Sequence, residues 1–539
     1  MDPGTTAPQS AEASTQVRSS GANVQVSHRR SRESGRLIPG WWPLLVILAV
    51  QAALTLRLVG ADTAFMDEAT YLWAGHLQWA HWLHGTPLPP FPIYFSGAPV
   101  VYPPLGALAD SVGGLAGARV LSLVFMLGAT ALLWGAASRL YGRRTAFFAA
   151  ALFAVLGPTL HLGAFATYDA LSVFLVALAA WCVIRAGDQG EGTGWMVAAG
   201  ASLAVANAAA YSSALFDVVV LALALLTAFP AGRRLAARRC ATLLTVVVAL
   251  ITAGLLIGGR SYLTGIVQTT VARVAGGQSP LSVLASAWSW TAVVVILAVA
   301  GVVISWVERQ GWAQTWLLAV LAAAALLGPL EQARLHTIAS LNKHVGLGAW
   351  FAAIAAGYAV DRFIAAAPAG RAQALTMGAF VVALVFPVSL GASQSWAFST
   401  DWQNASSFIA IFRPLADNGN GHLLVEDASI ARYYLPAGSQ WQRWSSTRNI
   451  VLPSGDNIGG PSSTAGVTGA GNTGVFSEFI ARGYFSVVAL NFADTTALDH
   501  QIRADLRRNH HYKIIAVVPY GTEVPPLGQG TYVIWRYEP

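Results

Sequence analysis

Charge is scarce in this chain: 11% of its 539 residues are Asp, Glu, Lys or Arg, where soluble globular proteins carry about 25%. That shortage excludes an ordinary water-soluble enzyme as the whole of the molecule. Lysine is rarer still, with Lys343 and Lys513 the two lysines among 32 basic residues, so a lysine near a membrane surface stands out against a background of arginine. Cysteine is confined to Cys182 and Cys240, within or at the ends of apolar stretches, which argues against a structural disulfide and against a disulfide-stapled scaffold. The glycines of the C-terminal region do not follow a strand and open a helix in the nucleotide-binding spacing, so they are assigned no phosphate-binding role. The net charge of +7 is accounted for by arginine flanking apolar runs and by attraction to anionic headgroups, and it does not point to nucleic acid.

Apolar sequence is what the chain has in abundance, 55% of its residues. Runs of about 20 apolar residues, each long enough to cross a bilayer as a helix, recur from Trp41 to Leu390. They predict eleven spans: 39–59, 117–138, 146–163, 169–185, 195–210, 213–229, 240–258, 281–306, 314–330, 348–364 and 372–391. The region 195–229 reads either as two short spans turning at Ser212-Ser213 or as one broken helix. Basic residues beside spans stay on the cytoplasmic side. With this set, Arg29 to Arg32, Arg139 to Arg144, Arg233 to Arg239, Glu308-Arg309 and Asp361 to Arg371 share one face, which is therefore the inner one. Residues 1–38, rich in Ser, Gly, Thr and Arg without hydrophobic periodicity, are expected to be a disordered cytoplasmic tail. The fold expected is a polytopic α-helical membrane protein spanning 39–392, with a long first outer loop at 60–116 and an extracytoplasmic C-terminal α/β domain at 393–539.

Ionisable groups inside a membrane protein are costly to bury and tend to line functional cavities. Those outside the arginine-rich inner loops gather on the outer side. The first outer loop carries Asp62, Asp67, Glu68, His76, His81, His84 and Asp110, and its stretch Met66 to Leu83 has the apolar periodicity of a helix lying in the membrane interface. Tyr168-Asp169, the segment from Arg260 to Arg273, and the polar run EQARLHTIASLNKH, with Arg334, His336, Lys343 and His344, face the same compartment. Asp110, Arg119 and Asp217 are explained as well by a buried ion pair as by catalysis and are left out of the candidate site.

The order of these features resembles a known family. MDEATY at Met66 to Tyr71, VYPPL at Val101 to Leu105, RLYGRR at Arg139 to Arg144 and Tyr168-Asp169 together look like the GT-C glycosyltransferases of family 39, which include protein O-mannosyltransferases and lipid A aminoarabinose transferases. The resemblance covers about residues 39–365. It implies an enzyme taking a sugar from a polyprenyl-phosphate donor and passing it, with inversion, to a lipid, protein or polysaccharide acceptor at the extracytoplasmic face. By resemblance Asp67 is the base that takes the acceptor proton, Asp169 a second acidic position, and Glu68 a residue that supports the site or pairs with an arginine. The alternative for Asp67 and Asp169 is a helix-terminus acid favoured by the dipole. The leaving lipid phosphate needs positive charge, for which Lys343, His344, Arg334 and His336 are the candidates, with Arg260 and Arg273 behind them. No cofactor is assigned, and a divalent ion, magnesium or manganese, remains open. Family members commonly carry a lysine directly before the Pro-Pro turn, where this chain has Tyr102, and that departure draws attention to Lys343.

Beyond Ser393 the composition becomes that of a soluble domain. Helices are expected at Asp401 to Leu415 and Thr495 to Arg508, and strands at His422 to Asp427, Phe485 to Phe492, Tyr512 to Tyr520 and Thr531 to Tyr537, giving a small, partly parallel sheet. Ser454 to Gly474 is expected to be a mobile loop; Trp441 and Trp444 are read as stacking on a sugar or sitting against the bilayer, with core packing expected for at least one of them. Two other functional classes remain: a transporter, against which stands the clustering of charge at one face with no internal repeat, and a non-catalytic protein of cell-envelope assembly.

Overall fold

The computed structural model describes residues 41–539 except 94, 188–191, 274, 418, 449, 452–456, 459–472 and 521–529. The tail 1–38 and most of the glycine-rich loop expected at 454–474 lie outside the described residues.

Every segment expected to span the membrane is helical. The first is α1 (Trp42–Leu56), followed in the outer loop by α2 (Met66–His84), one residue longer than the periodicity predicts. Helix α3 (Tyr102–Tyr141) begins on the Pro-Pro turn and breaks at Gly113-Gly114, where Gly114 adopts φ 61°, so an outer segment precedes the span. Helices α4 (Arg143–Ala154) and α5 (Gly157–Gly163) make a pair bent by 69°. They are followed by α6 (Tyr168–Ala186), α7 (Thr193–Ala209), a tight turn over Tyr211–Phe216, α8 (Asp217–Ala228), α9 (Arg233–Thr269), α10 (Pro280–Val307), α11 (Trp312–Arg334), α12 (Leu341–Ala366), α13 (Arg371–Ala383) and α14 (Val385–Ser399). By length and composition, eight helices among the described residues can cross a membrane, or nine with the bent pair. The expectation of eleven also counts α1, with 15 residues, and α7, with 17. The region 195–229 is two helices with a turn between them, the first of the two alternatives the sequence left open.

Helix α12 lies at the centre of the bundle, and its alanines and glycines let neighbours approach closely. A Cβ on Gly348 would stand 2.4 Å from the Ala324 carbonyl oxygen of α11, and one on Gly357 2.5 Å from that of Thr145 in α4. At one end of the bundle Arg144 pairs with Asp361, and Arg362 with Glu308 at 2.8 Å. Three of the segments assigned to one face, those of Arg144, Glu308 and Asp361-Arg362, therefore meet. Cys182 and Cys240 are free thiols.

The C-terminal region contains α15 (Ser406–Asp417), β1 (His422–Val425), α16 (Ala428–Tyr434), β2 (Trp444–Ser445), β3 (Ile450–Val451), β4 (Asn457–Ile458), α17 (Thr473–Ala481), β5 (Phe485–Leu490), α18 (Thr496–Arg508), β6 (Tyr512–Tyr520) and β7 (Gly530–Tyr537). Its main sheet has the order β2-β1-β5-β7-β6. The first three strands run parallel, and β5, β7 and β6 pair antiparallel, the partly parallel arrangement expected. Residues Pro43–Pro539 form one compact unit, because this region is bonded to the first outer loop. Trp73 Nε1 donates to the Gly438 carbonyl at 2.9 Å, Trp441 Nε1 to that of Pro87 at 3.1 Å, and Trp402 Nε1 to that of Thr63 at 2.9 Å. The Tyr433 hydroxyl donates to Asp110 Oδ1 at 2.6 Å, and the other oxygen of Asp110 meets His76 Nε2 at 2.6 Å.

Candidate active site

Two adjacent acids open α2, and helical geometry sends them about 100° apart. Glu68 turns inward and is fully buried. Its carboxylate receives Arg119 Nε at 2.8 Å and Nη2 at 2.7 Å, the Ala166 amide at 2.8 Å and the Phe65 amide at 3.0 Å. Arg119 also donates to the carbonyls of Val59 and Asp62, at 2.8 and 3.0 Å. A buried bidentate pair with its remaining lone pairs and protons satisfied is rigid, and this one fastens the loop 59–68 to α3. Arg119 and Glu68, a fold-holding pair, set the position of Asp67.

Asp67 faces the other way and meets Lys343 Nζ at 2.5 Å across 276 residues of sequence. The lysine side chain is 9% exposed and that of Asp67 26%, so the acid is reachable while the cation is nearly enclosed. Lys343 Nζ lies 5.2 Å from the centre of the Phe165 ring, and Asp169 adds a second negative charge in its neighbourhood. Asp169 is buried and accepts a hydrogen bond from Thr167 Oγ1 at 2.7 Å. The turn before α12 aims the lysine inward: Ser340, directly ahead of the helix, has φ 67° and His336 φ 51°, a left-handed backbone that non-glycine residues adopt at some cost.

A cavity of about 1250 Å³ opens beside this pair, lined by Asp67, Tyr71, Tyr168, His344 and Arg273 among others. The Tyr71 and Tyr168 rings lie 4.8 Å apart, and burial together with the charge of Asp67 pushes the Tyr71 phenol well above its ordinary range, so it stays protonated and able to donate. His344 contributes through Nδ1, which meets Gln332 Nε2 at 2.6 Å. One flank of the cavity is apolar, formed by Leu250, Ile251, Leu255 and Ile257 of α9, a surface suited to an isoprenoid chain.

The structure thus brings Asp67, Asp169, Lys343 and His344 together. Arg334 and His336 stand apart: Arg334 is exposed and bonded to Glu331 at 2.5 and 2.8 Å, and His336 Nδ1 meets the Gln278 carbonyl at 3.0 Å. Neither lines the cavity, and proximity in the sequence EQARLHTIASLNKH is undone by the tight turn at 336–340. Two contributors were missed. Asp217, set aside in the sequence, lines the cavity with Asn207 and Tyr211, and the C-terminal region supplies Ser429, Arg432 and Arg448. An acid inside an apolar run was the available signal for the first; the second has none, since it depends on docking. Among the described residues no group of three or more His, Cys, Asp or Glu can hold a metal ion; the cation in contact with Asp67 is the Lys343 ammonium.

Comparison with known proteins agrees with this architecture. A family model described as dolichyl-phosphate-mannose-protein mannosyltransferase matches residues 107–257. No curated protein sequence matches the chain. Among solved structures, ArnT from Cupriavidus metallidurans bound to undecaprenyl phosphate is similar with 13% identity and a TM-score of 0.55, over 92% of this chain and 98% of its own. The archaeal oligosaccharyltransferase AglB from Archaeoglobus fulgidus, in complex with an inhibitory peptide and a dolichol-phosphate, is similar with 13% identity and a TM-score of 0.52, over 91% of this chain and 74% of its own. The arabinofuranosyltransferase AftD from Mycobacteria shares 15% identity at a TM-score of 0.54, over 94% of this chain and 40% of its own. At such identities the likeness is one of fold, and the fold is that of the GT-C glycosyltransferases, polytopic membrane proteins.

Proposed function

We propose that this protein is an inverting glycosyltransferase that moves a sugar from a polyprenyl phosphate to an acceptor at the extracytoplasmic membrane face. The observation that carries the reading is the Asp67–Lys343 pair at 2.5 Å, with Asp67 on the wall of a cavity that has an apolar flank and Lys343 enclosed directly behind it. That combination offers a proton acceptor, a cation for a leaving phosphate and a surface for a lipid chain. Structures of the same fold hold undecaprenyl phosphate and dolichol-phosphate, which supports the donor class.

In a single displacement the acceptor hydroxyl loses its proton to Asp67, and the acceptor oxygen forms a bond to the anomeric carbon. The bond from that carbon to the phosphate oxygen breaks, and its electron pair leaves with the lipid phosphate. Base and leaving group must stand on opposite faces of that carbon, so Asp67 and Lys343 cannot serve both roles while in contact. The pair separates when donor binds: the phosphate draws Lys343 away on its flexible stem, leaving Asp67 ionised and free to accept a proton. Asp169 keeps the lysine charged and close as it moves.

Incubation of membranes containing the protein with a panel of radiolabelled polyprenyl-phosphate sugars tests the reading. Transfer of one label to the lipid, protein or polysaccharide fraction, lost on Asp67→Asn, is the expected result and identifies the acceptor. Absence of transfer from every lipid-linked sugar, by membranes that hold the folded protein, overturns it.

A further inference from the structure

The cavity has a second polar pole that the displacement at Asp67 does not use. Asn207, at the end of α7, donates from Nδ2 to Asp217 Oδ2 at 2.7 Å, and its Oδ1 accepts from Ser213 Oγ at 2.7 Å. This chain fixes one carboxylate oxygen of Asp217 and leaves the other spare. Among the described residues nothing hydrogen-bonds to Asp217 Oδ1 or to the Tyr211 hydroxyl, two buried atoms, although both residues line the cavity. Unpaired polar atoms in a buried setting are costly, and a carboxylate within the span of α8 is more so. Their position is rigid: Tyr211 N donates to the Ser96 carbonyl at 2.9 Å, and Ala98 N to that of Ala208 at 2.7 Å, so the outer loop clamps the end of α7. A Cβ on Gly97 would stand 2.0 Å from the Ala209 carbonyl oxygen, and that closeness is what lets the clamp form.

We propose that Asp217 Oδ1 and the Tyr211 hydroxyl form a sugar-binding subsite that takes adjacent hydroxyl groups of a carbohydrate ring. The chemistry selects that ligand. A carboxylate oxygen accepts but does not donate, whereas a phenol does both, so together they match neighbouring hydroxyls, one donating to Asp217 and the other exchanging with Tyr211. A phosphate is excluded, since its oxygens would face the carboxylate. The apolar residues of α9 flank the same cavity, so a ring held here lies beside the surface that suits the lipid chain. The subsite deepens the glycosyl-transfer reading and rests on it. The ring can belong to the donor or to a glycan acceptor, and the two are separated experimentally.

The test uses purified full-length protein and two variants. Asp217→Asn must keep its carbonyl toward Asn207 Nδ2, and it then presents an amide N–H where Oδ1 stood; Tyr211→Phe removes the hydroxyl alone. Affinity is measured for undecaprenyl phosphate and for undecaprenyl phosphate carrying hexoses or pentoses. The expected result is unchanged affinity for the sugar-free lipid and a loss of about 10- to 100-fold for the sugar-bearing one in Asp217→Asn, with a smaller loss in Tyr211→Phe. Unchanged donor affinity with a raised acceptor KM assigns the subsite to the acceptor's ring instead. Equal weakening toward both lipids, or no change in either donor affinity or acceptor KM, overturns the proposal and leaves the cluster a structural brace. Failure of the unmodified protein to bind undecaprenyl phosphate at all is a different outcome: it removes the lipid-phosphate donor itself.

Discussion

Asp67 and Lys343 hold each other in check, so substitutions of the two have different signatures. Asp67→Asn keeps the size of the side chain and an acceptor for Lys343 but removes the proton-accepting charge. Turnover is expected to fall by about 10²–10⁴-fold with donor affinity not weakened, read as kcat against donor binding in the purified variant; near-normal transfer sinks the assignment and makes Asp169 the next carboxylate to examine. Lys343→Ala removes the cation and is expected to lower donor affinity by about 10- to 100-fold, the worth of a charge-assisted contact; unchanged affinity returns this residue to a supporting contact for Asp67. Glu68→Gln acts elsewhere. Its partner Arg119 is 1% exposed, and stranding one member of a buried pair costs about 3–5 kcal/mol when the partner is removed outright. The expected phenotype is a lowered melting temperature in detergent, with turnover per folded molecule falling less than in Asp67→Asn. Asp67 and Lys343 were legible in the sequence because each breaks a local habit, an acid pair after the first span and a lysine among arginines. Their contact was not, because it joins α2 to α12 through a backbone turn with left-handed residues that no hydrophobic period encodes.

Helices and strands were mostly readable, since apolar runs and alternation report burial directly; the pieces that periodicity could not supply are short. Helix α16 has seven residues, too few for a periodic signal, yet it brings Tyr433 to Asp110 and Arg432 to the cavity. The packing of α2 on the Pro-Pro turn rests on Gly75, where a Cβ would come 2.0 Å from the Pro103 carbonyl oxygen and 2.7 Å from Ala107 Cβ. Gly75→Val must push the two helices apart, so stability and transfer activity are expected to fall together, with Gly75→Ala intermediate; wild-type behaviour of the valine variant refutes the close approach. A second element-scale device is the turn between β5 and α18. The Glu426 carboxylate accepts the amides of Asn491, Phe492, Ala493, Asp494 and Thr495, at 2.6 to 3.3 Å. Beside it the fully buried Asp499 is pushed up to about 8 by burial and by the negative charge of Glu426. A carboxyl raised in the folded state binds a proton that the unfolded chain has already released, so the stability it contributes is lost as pH rises from the ordinary carboxylate range through about 8. Asp499→Asn is therefore expected to flatten the decline in melting temperature over that window and to raise it at the alkaline end.

At the scale of the whole molecule, two sets of charges mark opposite ends of one bundle. At one end the arginine-rich loops interlock through Arg144 with Asp361 and Arg362 with Glu308; at the other, Asp67, Lys343 and the docked C-terminal region gather round the cavity. Retention of basic loops on the inner side leads to the expectation that the cavity and the α/β region lie outside, on condition that the bent pair α4–α5 crosses the bilayer and that α1 and α7 cross it despite their 15 and 17 residues. Both are long enough when flanking residues thin the membrane locally or snorkel, and both are packed into the bundle, Gln51 of α1 accepting a hydrogen bond from Thr130 Oγ1 of α3 at 2.8 Å, and Gly200 of α7 placed so that a Cβ would meet Val246 of α9 at 2.7 Å. Counting both together with the bent pair α4–α5 as one span gives eleven crossings, an odd number, which puts the two termini on opposite sides. Alkaline phosphatase, which folds actively only where disulfides form, is expected to be active when joined after residue 539 and inactive when joined in the loop at 308–311, with a cytoplasmic reporter giving the reverse at both positions. An inactive phosphatase at residue 539 beside an active cytoplasmic reporter there means that α1, α7 or the bent pair α4–α5 does not cross, and it moves the α/β region, and the site it covers, to the inner face, where a lipid-linked donor presented outside could not reach Lys343.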